Sequence, residues 1–583
     1  MPLTLKKHPK FNQPKGPVIQ IILDGFGYGD QDFEYNACTA KYMPTFFKYF
    51  DPGKPNCAVI GASERYAGVD HDVVGNSEVG HNAIGSGQYK DQGGRQVNKA
   101  VTSGELVNSP VWVDHIVAPI LAHPERTLHV MGLVQAKTII HADIKHLYAL
   151  VDNAVARGVK SLALHGLTDG RDDPDRYAIV LFGGIQKKFA DINARHPGFN
   201  YRIGSGGGRM RITMDRYEDS WKMVEKGWHA HVLGLVSEAE GGMYVKHATD
   251  AIQHYYDNPD PKFAEIDQYM YPFVVIDGQG KATATIQDGD SVVFFNFRGD
   301  RAIEISRAFE DPKFNYFDRV RVPKIQYAGM MLYDGDNAIP NKYLITAPGF
   351  SNTTAELLAA SGLPMFAISE TAKFGHVTYF ADGNRGNVKD AYTHLQVRGD
   401  PAEMYVTHPE MKATEITHKV LEWVRSGKFC FGRVNFANPD MIGHTGNWES
   451  VCKCVCTLSD QLALIFEAIA KAGGIAVVFS DHGNADEMVR RNKKGQIELR
   501  NGKPVPHMSH TLAKVPVLVY DPTGQQSFKF DTDPKRVVPS SHQGDVPGAG
   551  LFNMAATCLN LMGYGAPEFY WPSLVTPTII GVQ

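Results

Sequence analysis

The run Val18-Ile19-Gln20-Ile21-Ile22-Leu23, stopped by Asp24-Gly25, decides the fold class. It is apolar except at Gln20 and shows no polar alternation, the pattern of a strand buried on both faces, as in a parallel sheet covered by helices. Two later stretches repeat it: Ile475-Ala476-Val477-Val478-Phe479 before Ser480-Asp481-His482-Gly483, and Val434-Asn435-Phe436 before Ala437-Asn438-Pro439-Asp440. Helical stretches lie between them. The clearest steps through Val451, Val455, Leu458, Leu462, Ile465 and Ile469 and ends at Gly473-Gly474. From about Val101 to Pro323 the chain has its own strand and helix punctuation, including Leu128-His129-Val130-Met131 and Val292 to Phe297. The expected architecture is α/β: a discontinuous parallel-sheet domain, residues 1–91 and 346–583, interrupted by an inserted second α/β domain, residues 92–345.

Length agrees, because 583 residues exceed what one core serves. With 59 Lys+Arg against 63 Asp+Glu and no long charge blocks, a dedicated nucleic-acid or polybasic membrane surface is excluded. A local arginine cluster for a small anion needs no such excess. The apolar run from Val18 is too short for a signal peptide or a membrane span, so a cytoplasmic protein is expected. Seven cysteines read as free thiols. Cys452, Cys454 and Cys456 fall on the helical stripe, where side chains two apart diverge by about 200°, so they cannot converge on one ion.

The strand ends supply candidate chemistry, since ligands of open α/β sheets bind beyond the carboxyl ends of strands. Asp24 ends the first run. Asp440 and His444 are four apart and share a face if the segment after Pro439 is helical. Asp481-His482 follows a buried run directly, and His510 precedes the apolar stretch from Val515. One such residue alone is ordinarily a helix cap or a hydrogen-bonded core histidine. Three strand ends together read as a metal-ligand set, and Asp with His, without cysteine, suits Mn²⁺, Zn²⁺ or Co²⁺.

Gly75-Asn76-Ser77-Glu78 signals a turn followed by a helix start, with Ser77 expected as the N-cap. The same geometry favours a phosphate, and a serine beside a metal could attack phosphorus. Arg171, Arg209, Arg216, Arg298 and Arg301 each stand beside turn residues or at a strand end, where the guanidinium fork binds carboxylate or phosphate. The glycine run Gly204–Gly208 matches neither a P-loop nor a dinucleotide fingerprint, which excludes ATP and NAD.

In this order, Ile-Leu-Asp24-Gly-Phe-Gly, Gly-Asn-Ser77-Glu-Val-Gly-His, Asp169-Gly-Arg171-Asp172, Met-Asp-Arg216-Tyr, Phe-Asn-Phe-Arg298-Gly-Asp-Arg301, Ser-Glu370-Thr-Ala-Lys373, Asn-Pro-Asp440-Met-Ile-Gly-His444 and Asp481-His482-Gly-Asn-Ala-Asp-Glu resemble the cofactor-independent (2,3-bisphosphoglycerate-independent) phosphoglycerate mutases, members of the alkaline-phosphatase-like metalloenzymes. The resemblance runs from about Pro17 to Leu574. Gly-Gly-Gly-Arg209 and the segment from Asp318 to Ile325 look like the plant and trypanosomatid branch.

The resemblance implies one metal held by Asp440, His444 and His510, and a second by Asp24, Asp481, His482 and Ser77. It implies substrate contacts from His141, Arg171, Asp172, Arg209, Arg216, Arg298, Arg301 and Lys373, with Ser77 as nucleophile, Asp172 as acid/base and Lys373 beside the transferring phosphoryl group. The implied reaction is interconversion of 3-phosphoglycerate and 2-phosphoglycerate, a step of glycolysis and gluconeogenesis. It would pass through a phosphoserine, with two divalent ions, manganese first and cobalt, magnesium or zinc as alternatives, and without 2,3-bisphosphoglycerate. A monomer binding only a small molecule, neither nucleic acid nor membrane, is implied, with closure of its two domains excluding water.

One stretch departs from the family pattern. An Asp-Gly-Gly-Val-His-Ser-type loop is replaced by Gln135-Ala136-Lys137-Thr138-Ile139-Ile140-His141-Ala142-Asp143, one residue longer. His141 is kept, whereas β-branched Thr138 and Ile139 replace the paired glycines. Val74 also stands where the family has Met. The alternatives are a metal-dependent phosphomonoesterase on the same core, in which water intercepts phospho-Ser77, and a non-catalytic phosphoglycerate-binding protein, motivated by the altered loop.

Overall fold

The structure, a computed structural model, describes residues 3–69, 74–137, 139–216, 220–263, 267–334, 338–346, 349–385, 392–492, 494–500, 502–524, 528–533 and 548–578. The chain forms two compact units, Met1–Gln92 with Pro348–Gln583, and Gly93–Ala347. In chain order the first unit begins with β1 (Val18–Leu23) and β2 (Cys57–Ile60). The second contains β3 (Leu128–Leu133), β4 (Ser161–Thr168), β5 (Asn200–Gly208), β6 (Met243–Val245), β7 (Phe273–Val275), β8 (Ser291–Phe294) and β9 (Gln326–Gly329). The chain then completes the first unit with β10 (Met365–Glu370), β11 (Tyr392–Val397), β12 (Phe431–Phe436), β13 (Ile475–Phe479), the hairpin β14 (Leu499–Arg500) and β15 (Lys503–Pro504), and β16 (Val515–Tyr520).

The first unit's sheet has the order β11-β10-β12-β1-β13-β16-β2. β1 runs parallel between β12 and β13, with Leu23 opposite Phe436 and Ile22 opposite Phe479. The three apolar runs of the sequence are therefore neighbouring strands whose carboxyl ends lie level. Their lack of alternation has a direct cause: Ile19, Ile21 and Leu23 enter one core, with the stripe Val451 to Ile469 of the helix Trp448–Ala472, while Val18 and Ile22 enter the other. Gln20, in the middle of β1, is buried; its Nε2 donates to Cys558 Sγ (3.3 Å) and its Oε1 accepts from Arg433 Nε (3.2 Å).

The sheet is not parallel throughout. β16 runs against β13, and β2 against β16. A parallel return needs a crossover, usually helical, and the described residues between Phe479 and Val515 contain only a small hairpin. One consequence matters for chemistry: the segment before β16, with His510, arrives at the same edge as the carboxyl ends of β1, β12 and β13.

The second unit's sheet has the order β6-β7-β5-β4-β3-β8-β9, with β3, β4, β5, β8 and β9 parallel and β7 antiparallel to β5. The glycine run Gly204–Gly208 lies inside β5. Among the described residues no helix is long and apolar enough to cross a membrane.

Candidate active site

In the first unit, five neighbouring segments deliver polar side chains to one edge of the sheet. Asp24 follows β1, Asp481 and His482 follow β13 closely, and Asp440 stands on the short helix Asn438–Gly443 after β12, with His444 just beyond its end. Lys373 comes from the turn after β10, and His510 from the segment before β16. Gly25 permits the crowding: at φ +77° it sits so close to Asp440 that a Cβ there would lie 2.8 Å from the Asp440 backbone.

Ser77 is the first residue of the helix Ser77–Ser86. It is not the N-cap that the sequence suggests. Asn76 caps instead, its Oδ1 accepting from Val79 N (3.2 Å), which leaves the Ser77 hydroxyl free to face the acids. Ser77 Oγ donates to Asp24 Oδ1 at 3.2 Å, lies 2.9 Å from His482 Nε2, and touches Lys373 Nζ.

The donor set fits divalent cations. Asp440, His444 and His510 present ligand atoms within 4.8 Å of one another, as do Asp24, Asp440 and His482, and Asp24, His81 and Asp481. The orientation of the imidazoles is equally telling. His444, His510 and His482 each face a backbone carbonyl with Nδ1, of Met508 (2.6 Å), Gly75 (2.8 Å) and Gly483 (3.3 Å). With the proton on Nδ1, His444 and His510 each turn a bare Nε2 toward the carboxylates, and His482 does so once its Nε2 proton is lost, the arrangement typical of metal-binding histidines. Asp481 Oδ2 is buried without a hydrogen-bond partner among the described residues.

Electrostatics point the same way. Burial disfavours the charge of Lys373, but Asp24, Asp440 and Asp481 overcome it and hold the ammonium more firmly protonated than a free lysine. Lys373 Nζ lies 2.7 Å from both Asp24 Oδ1 and Asp440 Oδ2. Asp440 and Asp481 stay ionised below the usual carboxylate range despite burial, through Lys373, His444 and His510 for Asp440 and through His482 and His81 for Asp481. Burial also works against protonation of His482, yet Asp481 and Asp24 push its pKa up to about 9. Three carboxylates thus face one ammonium and one imidazolium, a net negative site suited to added cations.

In the second unit the carboxyl ends of β3, β4, β5 and β8 converge similarly. Arg209 Nη1 binds the carboxylates of Asp169 and Asp172, and its Nη2 donates to His141 Nε2 at 2.7 Å. The remaining imidazole proton therefore sits on Nδ1, 3.6 Å from Asp300. Asp300 also meets Arg298 Nε (3.2 Å) and Arg216 Nη1 (3.6 Å), while Arg301 Nη1 donates to Met214 O (2.7 Å). Burial and the charges of Arg209, Arg298, Arg301 and Arg171 keep His141 neutral, its pKa well below the usual value. Burial and Asp172 push Asp169 up to about 7.

The 135–143 loop is held without the paired glycines. Gln135 Oε1 accepts from the N–H groups of Ile140 (3.0 Å), His141 (3.0 Å) and Ala142 (3.3 Å), and Asp173 accepts from Ala136 (2.7 Å) and Lys137 (2.6 Å). A side-chain amide folds the loop where the family pattern uses backbone freedom; Thr138 lies outside the described residues.

Residues 97–335 match the family model described as BPG-independent PGAM N-terminus. The chain is 39% identical to a 2,3-bisphosphoglycerate-independent phosphoglycerate mutase of Trypanosoma brucei brucei, over 99% of this chain and 100% of that protein. The chain belongs to the 2,3-bisphosphoglycerate-independent phosphoglycerate mutase family. It is 38% identical to the protein of that name from Mesembryanthemum crystallinum, over 98% of each chain. A crystal structure of Leishmania mexicana phosphoglycerate mutase, determined at low cobalt concentration, aligns with a TM-score of 0.90 at 38% identity, covering 99% of this chain and 100% of that one.

Against this family background, the geometry adds residues that the sequence reading did not single out. His81, one helical turn after Ser77, lies 3.3 Å from Asp481 Oδ2. Asn435 Nδ2 donates to Asp24 Oδ2 (2.7 Å) and lies 3.2 Å from His81 Nε2. The i, i+4 spacing of Ser77 and His81 was a usable signal. Asp169 and Asp300 stand within the motifs quoted above and Gln135 opens the altered loop, but each acquires its partners only when strand ends converge.

Proposed function

We propose that this chain interconverts 3-phosphoglycerate and 2-phosphoglycerate through a phosphoserine at Ser77. The observation that carries the reading is the Ser77 hydroxyl, released from capping by Asn76 and set among Asp24, His482 and Lys373. Asp440, His444 and His510 would hold one divalent ion, and Asp24, Asp481, His482 and Ser77 a second, with manganese first among candidates. Bound there, the ions supply Lewis-acid stabilisation of the serine oxyanion and of the phosphoryl oxygens. Lys373 places its ammonium where the transferring group would gain charge.

In the second unit Arg171, Arg209, Arg216, Arg298 and Arg301 bind the anionic substrate, and His141, neutral and protonated on Nδ1, orients it. In the forward step Ser77 Oγ releases its proton to solvent and bonds to phosphorus as the bond from phosphorus to the C3 oxygen breaks, and Asp172, entering protonated, gives its proton to that oxygen. The C2 hydroxyl then gives its proton to Asp172, attacks phosphorus and frees Ser77. No 2,3-bisphosphoglycerate enters the cycle. The chain would act as a cytoplasmic monomer.

The discriminating experiment couples formation of 2-phosphoglycerate to a spectrophotometric readout while free phosphate is measured in parallel. Isomerisation without phosphate release supports the mutase. Phosphate release without isomerisation selects the phosphomonoesterase, and binding with neither selects the non-catalytic reading.

A further inference from the structure

A line of buried polar side chains crosses the sheet of the second unit. It begins at Asp290, the residue before β8, whose Oδ2 lies 3.0 Å from His129 Nε2 on β3. His129 Nδ1 lies 2.9 Å from His165 Nε2 on β4, and His165 Nδ1 lies 2.7 Å from Ser205 Oγ on β5. Ser205 Oγ lies 2.7 Å from His231 Nδ1, and His231 Nε2 lies 2.9 Å from Thr213 Oγ1. His129, His165, Ser205, His231 and Thr213 are wholly buried. The path is diagonal, from the second residue of β3 through the fifth of β4 to the sixth of β5. It therefore leaves the amino-terminal edge of the sheet at Asp290 and reaches the carboxyl edge, where Arg209 follows β5. A register shift between Leu164 and His165 pairs His165 with Ser205.

With neutral imidazoles the hydrogens fit in one direction only. Asp290 accepts from Thr127 N and Gln287 N (both 2.8 Å) and is ionised, so His129 must donate from Nε2. His129 Nδ1 then accepts from His165 Nε2, His165 Nδ1 from the Ser205 hydroxyl, Ser205 Oγ from His231 Nδ1, and His231 Nε2 from the Thr213 hydroxyl. Burial keeps all three histidines neutral, His231 as low as about 3. Apolar side chains would fill this core without desolvating imidazoles, so packing does not explain the line.

Its end does. Thr213 has φ +68°, a conformation that β-branched residues avoid. It is pinned by its N–H to Met223 O (2.9 Å) and by helix packing so close that a Cβ on Gly227 would meet Thr213 Oγ1 at 2.2 Å. The next residue, Met214, presents the carbonyl that receives Arg301, and two further on is Arg216, facing Asp300.

We propose that Thr213 is a positioning residue for the substrate-binding arginines, and that Asp290, at the opposite edge of the sheet, fixes the orientation of its hydroxyl through His129, His165 and His231. The proposal rests on the substrate role given above to Arg216 and Arg301. The test uses the full chain loaded with Mg²⁺. Imidazole ¹⁵N spectra are expected to report Nε2–H for His129 and His165 and Nδ1–H for His231. Thr213→Val is expected to raise KM for 3-phosphoglycerate about tenfold with kcat within about twofold, the fold-change equal to about 1.4 kcal/mol, and Thr213→Ser to restore KM. Asp290→Asn should raise KM in the same direction, although its side-chain hydrogen bonds go only to Thr127, Gln287 and His129 among the described residues. Nε2–H on His231, or an unchanged KM in Thr213→Val or Asp290→Asn, overturns the proposal. Arg301→Met tests the underlying reading separately: an unchanged KM there removes the arginines from substrate binding, while the tautomers still judge the line of histidines.

Discussion

Ser77→Ala separates the two roles that a serine at a helix start can have. The substitution removes hydrogen bonds to Asp24 (3.2 Å) and His482 (2.9 Å) and the contact with Lys373. Net hydrogen bonds are worth about 0.5–1.5 kcal/mol each. Lys373 keeps Asp24 and Asp440 at 2.7 Å, so no charge is left unpaired. The fold should lose about 1–2 kcal/mol, a fall in Tm of a few degrees. Loss of a nucleophile, in contrast, costs on the order of 10⁶ in kcat, about 8 kcal/mol of barrier. Asn76→Ala should behave oppositely, losing about 1 kcal/mol of cap while keeping most of its turnover. Thermal unfolding and the coupled mutase assay on both variants read the two quantities separately. Turnover by Ser77→Ala above about a thousandth of the parent would refute the nucleophile assignment, because loss of the attacking oxygen cannot leave that much rate.

Metal binding should release protons. His482, pushed up to about 9, is protonated in the metal-free protein at pH 7 and must become neutral to ligate; calorimetry in buffers of different ionisation enthalpy should detect about one proton per chain, and a buffer-independent heat would contradict this. Exhaustive chelation should abolish activity, and Mn²⁺ at 100 times its Kd should restore about 2.7 kcal/mol of stability, measured as Tm. Glu370, both of whose oxygens are buried without hydrogen-bond partners among the described residues, is pushed up to about 8 by that burial. Its folded pKa exceeds its unfolded value, so the stability it contributes is complete below about pH 4.3 and is lost as pH rises through about 8. Glu370→Gln should flatten this slope and stabilise the protein at pH 8 by up to ~4 kcal/mol, and denaturant curves at pH 5 and 8 that move in parallel with the parent's would exclude it. Arg298→Met and Arg301→Met should each raise KM tenfold or more, at about 1.5–3 kcal/mol per charged hydrogen bond, with metal affinity by titration unchanged.

What could be read from the residues was burial, and what could not was direction and convergence. Val18–Leu23 announces a strand with two cores because every position is covered, and the end of such a strand is where Asp24 had to be useful. Val515–Tyr520 is equally apolar but says nothing of its sense, and its antiparallel course follows from the short connection before it. Asn76 and Ser77 are both good caps in isolation. Only the helix start, one residue earlier than expected, shows which of them is free. Asp440 and His444 were legible as a local pair. Asp300 was not, because its partners His141, Arg216 and Arg298 come from three different strand ends. Gln135 is the plainest case: nothing in its neighbours says that one amide will take three backbone N–H groups.

β1 is synthesised first and waits long for both its partners. Phe431 and Ile475, which open its two partner strands, lie 408 and 452 positions beyond Leu23. At ~5–20 residues per second a ribosome needs about 20–80 s to reach the first of them. Throughout that interval Val18–Leu23 is a nascent hexapeptide with both edges open and a composition that favours β-aggregation. Gln20 divides it into two short apolar pieces, the work of a gatekeeper. In the finished sheet the same amide is matched to Arg433 and Cys558, so the interruption that protects the waiting strand is itself hydrogen-bonded once translation has supplied its partners.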